Sequence, residues 1–344
     1  MRVVLIGGGV HPIPPTGYGA IERILTDLAE ALRAAGHEAV IVNRVRRRRM
    51  RDEYPFAWEL PRLLRRERYD VLHAHTPVVA NRLALSGLPF VYTPHSRHWF
   101  YRERLSHRWG YWLERRAVRR ARAVIALTDP LARTMRASVR PPLPPIQVVP
   151  FGVDTDRFAP DWGVRSGTNA LGVGVVAPFK RWHLAAQALQ GTGATLRLVG
   201  PIVDPGYAAS LRRADPTVEL LGEVSSEELE RRFAESDFLV HPSQVEILSA
   251  SVIEGLAAGL PVLGGPAVEG VVDDGGTGWC LRGDDAALVN GLRDRARELV
   301  GSATLRRSMG ESARRVAEER YAWPRVVAQH LEVYRTVAAE RGQA

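Results

Sequence analysis

The residue types that could do chemistry in this chain are few and widely spaced. Lys180 is its only lysine among 47 basic residues, the other 46 being arginine, and it stands in GVGVVAPFKRWHLAAQAL, residues 172–189. Lysine is a compact point charge and arginine a planar fork, so a lone lysine either marks a site where a fork does not fit or is an accident of composition. Glu246 and Glu254 lie eight residues apart in HPSQVEILSASVIEGLAAGLPVL, residues 241–263. The spacing predicts a strand ending near Val240, a loop carrying Glu246, and a helix from about Ser249 that carries Glu254 and stops at Gly259. Near the N-terminus, GGGVHPIPPTGYGAIERI delivers Gly17 and Gly19 to the start of a helix. Glycine there lets the backbone approach a ligand, and free helix amides can receive a phosphate. The loop is not a dinucleotide fingerprint, since Pro12 occupies its third glycine position.

The elements that must hold these residues alternate between short apolar runs and longer amphipathic segments, the pattern of parallel strands joined by crossover helices. Strands are expected at 3–6, 38–43, 71–74, 90–92, 123–127 and 146–149, and again at 172–176, 195–199, 218–221, 238–240 and 261–263. Ile21, Ile24, Leu25, Leu28 and Leu32 recur at helical spacing up to Gly36. The class is α/β with two doubly wound sheets, and ligands of such folds bind at the C-terminal strand ends, here in a shared cleft. A Pro- and Gly-rich stretch ending near 158–168 reads as a linker. The domains expected are 1–160, joined by a terminal helix at 323–344, and 168–322, with a helix break at Pro324.

The 344 residues carry a net charge of +9, concentrated in the first half. The segment 108–124 sets Trp109, Tyr111, Trp112 and Leu113 before Arg115, Arg116, Arg119, Arg120 and Arg122, as in a basic amphipathic helix at an anionic membrane surface or in an ordinary solvated face. No nucleic-acid motif accompanies the arginines. The single Cys280 and the lack of a signal-type or membrane-spanning apolar run fit a cytoplasmic protein. Asp154 with Asp156 is the one tempting metal-binding pair of carboxylates, while His73 with His75 and His95 with His98 could meet zinc but each lack a plausible third ligand.

The Glu-x7-Glu pattern in its setting resembles the signature of the retaining, nucleotide-sugar-dependent glycosyltransferases of family 4, which have the GT-B fold of two facing Rossmann-like domains. YDVLHAH, VYTPHS, VVPFGVDTDRFAP, LRLVGP, LLGEVSSEELERRFAESDFLVHPS, DDGGTGWCL and YAWPRVVAQHLEVY resemble that family's segments in order, the last being a helix that crosses back to the first domain. The resemblance implies that Glu254 accepts hydrogen bonds from the donor ribose. It implies that Glu246 contacts the donor sugar, with the amides of Ile247, Leu248 and Ser249 near its hydroxyls and the phosphate. Lys180 would meet the diphosphate, Gly19 would close over it, the Val224 backbone would read the base, and His95 would lie on the acceptor side.

The resemblance implies a transfer that needs no metal or other cofactor. Negative charge grows on the departing diphosphate, and a cation and helix-end amides stabilise it. The donor implied is a nucleoside diphosphate sugar, first of all UDP-linked, and the acceptor is a hydroxyl of a lipid, a polysaccharide or a secondary metabolite. The sequence departs from the family at Val175, where an arginine is usual, and at Ile247-Leu248-Ser249, where Gly-Phe-Gly is usual. Arg181 is a candidate substitute for the lost cation. The alternatives are a nucleotide-sugar epimerase on the same fold, a pyridoxal phosphate enzyme built on Lys180, and a basic non-catalytic module binding membrane or nucleic acid.

Overall fold

Runs such as Val3–Ile6 and Phe238–Val240 are apolar at every position because parallel strands are covered by helices on both faces. In the computed structural model, which describes residues 1–14, 20–45, 53–65, 68–101 and 105–342, these runs build two compact units. One comprises Met1–Gly152 with Trp323–Ala344, the other Val153–Ala322.

The first unit holds β1 (Arg2–Ile6), β2 (Glu38–Val42), β3 (Val71–Ala74), β4 (Val91–Tyr92), β5 (Ala123–Ala126) and β6 (Ile146–Val148), all parallel in the order β2-β1-β3-β4-β5-β6. Its helices are α1 (Ala20–Ala34), α2 (Glu53–Leu64), α3 (Pro77–Leu85), α4 (Leu105–Arg120) and α5 (Asp129–Ser138). Thr76 and Thr128 cap α3 and α5 by accepting hydrogen bonds from the amides of Val79 and Leu131. A terminal helix completes its core, where Val326, Val327, Leu331 and Tyr334 pack with Val3, Leu5, Leu25 and Leu28.

The second unit holds β7 (Asn169–Val173), β8 (Thr195–Val199), β9 (Glu219–Gly222), β10 (Phe238–His241), β11 (Val262–Gly264) and β12 (Gly278–Cys280), parallel in the order β12-β11-β10-β7-β8-β9. Its helices are α6 (Trp182–Leu189), α7 (Pro205–Ala214), α8 (Ser226–Glu235), α9 (Ala250–Ala257), α10 (Asp285–Gly301) and α11 (Ala303–Val316); the terminal helix of the first unit is α12 (Trp323–Gly342). The strand order reverses between β7 and β10, the switch point at which such sheets take ligands.

Three details differ from expectation. β7 ends at Val173 rather than Val176, because Gly174 adopts φ +147 and turns the chain out of the sheet. β12, three residues long and begun by Gly278, has no apolar run to announce it. Pro324 stands in the first turn of α12, where its missing amide costs no helical bond, and the break precedes it as a π turn at Ala317–Tyr321. The stretch expected as a linker packs on the second unit: Phe158 meets Phe233 edge-on, and Arg165 and Arg307 each lie 4.2 Å from the Trp162 ring.

Candidate functional site

The two units carry separate groups of candidate residues. In the second unit, the chain leaves β7, makes a short 3-10 turn at Pro178–Lys180, and enters α6 through Arg181, a left-handed residue at φ 60. This hairpin of backbone places Lys180 Nζ 2.7 Å from Glu246 Oε1, with the two side chains 13% and 16% exposed. The ion pair therefore joins residues 66 apart in sequence, on the loops after β7 and β10 that flank the switch point.

Glu254 is the fifth residue of α9, about one turn past the loop that carries Glu246, and is nine-tenths buried. Ser249 is the N-cap of α9 but makes no side-chain cap bond; its hydroxyl lies 3.0 Å from that of Ser251. The first-turn amides of α9 are thus not engaged by their cap, as an anion-receiving helix end requires. Ile247 is buried and Leu248 half-buried beside them. Val224 lies in the turn from β9 into α8, half-buried.

The position that lacks the usual arginine, Val175, is buried, and its carbonyl accepts a hydrogen bond from Trp182 Nε1 at 2.9 Å. Arg181 is already engaged: Nη1 donates to Gln244 Oε1 at 2.7 Å and Nη2 pairs with Asp285. Sequence reasoning gave no role to two residues of the same strand end. His241 closes β10 and is wholly buried, as is Ser243, and their side-chain polar atoms have no hydrogen-bond partner. The HPS triplet was the signal available for them.

In the first unit, His95 lies after β4, with its Nε2 3.0 Å from Nδ1 of His75. His73 lies within 2.8 Å of both Tyr334 Oη and Thr93 Oγ1, and His330 Nδ1 donates to Val326 O. His75, Thr93, His95 and His330 line a pocket of about 10 Å³, room for one water. Burial lowers the pKa of all four histidines, His95 and His330 to about 4 and the other two well below the ordinary range. Near them Glu114 is buried and accepts hydrogen bonds from Tyr92 at 2.6 Å and Ser96 at 2.5 Å. Burial raises both Glu114 and Glu53 to about 7. None of these polar core residues announces itself in an apolar pattern, although His73 and His75 are visible in the strand-ending VLHAH.

Gly19 lies outside the described residues, while Asn43 fixes the earlier part of its loop by accepting from Gly9 N at 2.8 Å. Asp154 caps a turn, accepting from the amides of Asp156 and Arg157. Cys280 is buried, and burial raises its thiol pKa. Among the described residues, no group of three or more His, Cys, Asp or Glu could hold a metal ion, and no helix is long and apolar enough to cross a membrane.

Residues 21–157 match the family model described as Glycosyltransferase Family 4, and residues 174–297 that described as Glycosyl transferases group 1. The chain belongs to the family 4 glycosyltransferases. This glycosyltransferase is 28% identical over 303 residues to an MMP alpha-(1->4)-mannosyltransferase of Mycolicibacterium hassiacum, spanning 80% of this chain and 72% of that one. Its fold is that of sucrose-phosphate synthase from Thermosynechococcus elongatus, with a TM-score of 0.83 at 19% identity over 98% and 99% of the two chains. It is also that of Anabaena HepE in complex with UDP and glucose, with a TM-score of 0.76 at 18% identity over 98% and 100%. The glycosyltransferase therefore has the two-domain α/β GT-B fold, and its chemistry is sugar transfer.

Proposed function

We propose that this protein is a retaining glycosyltransferase that moves a sugar from a nucleoside diphosphate to an acceptor hydroxyl without a metal ion. The observation that carries the proposal is the Lys180–Glu246 ion pair at the switch point, beside the α9 end and Glu254. Lys180 meets the diphosphate and, with the α9 amides, takes up the charge that grows on it as the glycosidic bond breaks. Glu246 then exchanges its lysine for the hydroxyls of the donor sugar, Glu254 holds the ribose, and the Val224 backbone meets the base. His95, neutral at physiological pH, contacts the acceptor side. HepE's complex with UDP and glucose makes UDP the nucleotide to test first.

A thermal-shift screen of UDP-, GDP- and ADP-sugars tests the donor, since a ligand at a hundred times its Kd adds roughly 2.7 kcal/mol. With the donor known, NMR of the product reports whether the anomeric configuration is kept. Turnover should be unchanged by excess EDTA. Inverted product, loss of activity in EDTA, or conversion of the donor without any acceptor, as an epimerase would give, each refutes the corresponding part.

The acceptor side is proposed to work at an anionic membrane surface. On α4, Trp109 and Trp112 are 63% and 47% exposed and stack at 5.0 Å, with Arg115, Arg116, Arg119 and Arg120 following on the same helix. Aromatic rings at the headgroup level and arginines toward lipid phosphates suit such a surface. The protein should cosediment with anionic vesicles at low salt and not with zwitterionic ones, and Trp109→Ala with Trp112→Ala should weaken this several-fold. Equal recovery with both vesicle types would rule it out.

A further inference from the structure

His241 is used by none of the roles above. It ends β10, across the switch point from the loop that carries Lys180. Its ring is wholly buried, and neither Nδ1 nor Nε2 has a hydrogen-bond partner. Ser243 Oγ, two residues on, is equally buried and equally unpartnered. Three unmet polar atoms at one strand end mark a shell that something outside the chain completes.

The charged and titratable groups around the ring come from each neighbouring element. Lys180, after β7, opposes a second positive charge, and Glu246, in the loop after β10, favours one. α9 packs on β10 and brings the buried Glu254. β11 brings Gly264 opposite His241, and the Cys280 thiol of β12 bonds to Gly265 O. Burial first, then Lys180, hold the imidazole at a pKa of about 3, so it is neutral in the free protein.

The inference rests on the nucleoside diphosphate reading above. We propose that His241 is the second cation for the diphosphate, the one missing at Val175: neutral while the site is free, protonated when the nucleotide binds, with the Ser243 hydroxyl completing the contact. The proton comes from solvent and forms one N–H bond, and no covalent bond breaks. The diphosphate draws Lys180 away from Glu246 and brings at least two negative charges, so the field that opposed protonation reverses. Val175 offers only a carbonyl, already bonded to Trp182, and Arg181 is engaged by Gln244 and Asp285. A cation that forms only on binding also spares the free protein a second permanent charge buried beside Lys180.

The test is calorimetric titration of the full chain with UDP, GDP and ADP at pH 7.5 in buffers of different ionisation enthalpy, comparing wild type with His241→Gln. Glutamine keeps a hydrogen-bonding side chain and cannot take a proton. Wild type should take up close to one proton more per nucleotide than H241Q, and H241Q should bind at least tenfold more weakly, with the difference closing toward pH 9. Histidine-labelled NMR of the wild type should show one imidazolium arising on addition of the nucleotide, a reading that stands even where H241Q fails to fold. Equal proton counts in the two proteins, or no new imidazolium, would overturn the inference alone. Binding of none of the three nucleotides would remove the nucleoside diphosphate reading and the inference with it.

Discussion

Replacing Lys180 by alanine should weaken diphosphate binding by two orders of magnitude or more, and replacing Glu246 by alanine should abolish turnover. The side chains of this pair meet at 2.7 Å with about a seventh of their surface exposed, so each variant removes a ligand contact and strands its partner. A hydrogen bond to a charged group contributes about 1.5–3 kcal/mol, and breaking a buried ion pair costs about 3–5 kcal/mol. The two variants separate in their kinetics. K180A should raise the donor KM and lower kcat, because the lysine acts on the ground state and on the charge that develops. E246A should lower kcat with less effect on nucleotide affinity, which depends on Glu254 and the diphosphate contacts. Lys180→Arg should recover only part of the affinity, since a planar fork must fit where a slender ammonium reaches through a 3-10 turn. Full activity in K180R would show that the lone lysine is an accident of composition. Retained turnover in E246A would count against the role given to Glu246 in the transferase mechanism.

Acidification from pH 7 to pH 5 should lower the melting temperature by roughly 8 °C. A histidine whose folded pKa lies below 6.5 is stabilising while neutral; that stability is intact above pH 6.5 and drains as pH falls toward the folded value. His73, His75, His95 and His330, and His241 in the second unit, all belong to this class. Each loses about 2 kcal/mol at pH 5 by linkage. Glu53 and Glu114 run the other way, because carboxyls raised to about 7 are costly when ionised and the cost fades as pH drops toward 4.5. Two glutamates offset about two histidines, leaving a net loss of about 6 kcal/mol. Melting curves at pH 7, 6 and 5 measure it, and His330→Gln should flatten the slope by one proton. A melting temperature that holds or rises toward pH 5 would contradict the account.

Much of the fold was legible because parallel strands advertise themselves. The runs at 71–74 and 195–199 coincide with β3 and β8 to the residue. β7 slipped by three residues because Gly172 and Gly174 carry no side chain to signal where the sheet stops. The Glu246–Glu254 spacing revealed a loop and a helix, and the family resemblance set Lys180 and Glu246 at one donor; their direct pairing in the free protein is a matter of strand order and packing. His241, His330 and Glu114 escaped notice for the opposite reason: polar residues belong on surfaces by default, and only packing shows these three to be interior.

The chain's single lysine also makes it unusually open to chemical interrogation. Apart from the N-terminal amine, Lys180 carries the only primary amine in 344 residues. An acylating reagent or reductive methylation with a ¹³C label therefore addresses one side chain. Its position against Glu246 means that label would report, without mutation, whether the ammonium is held by its own carboxylate or has been handed over to a phosphate.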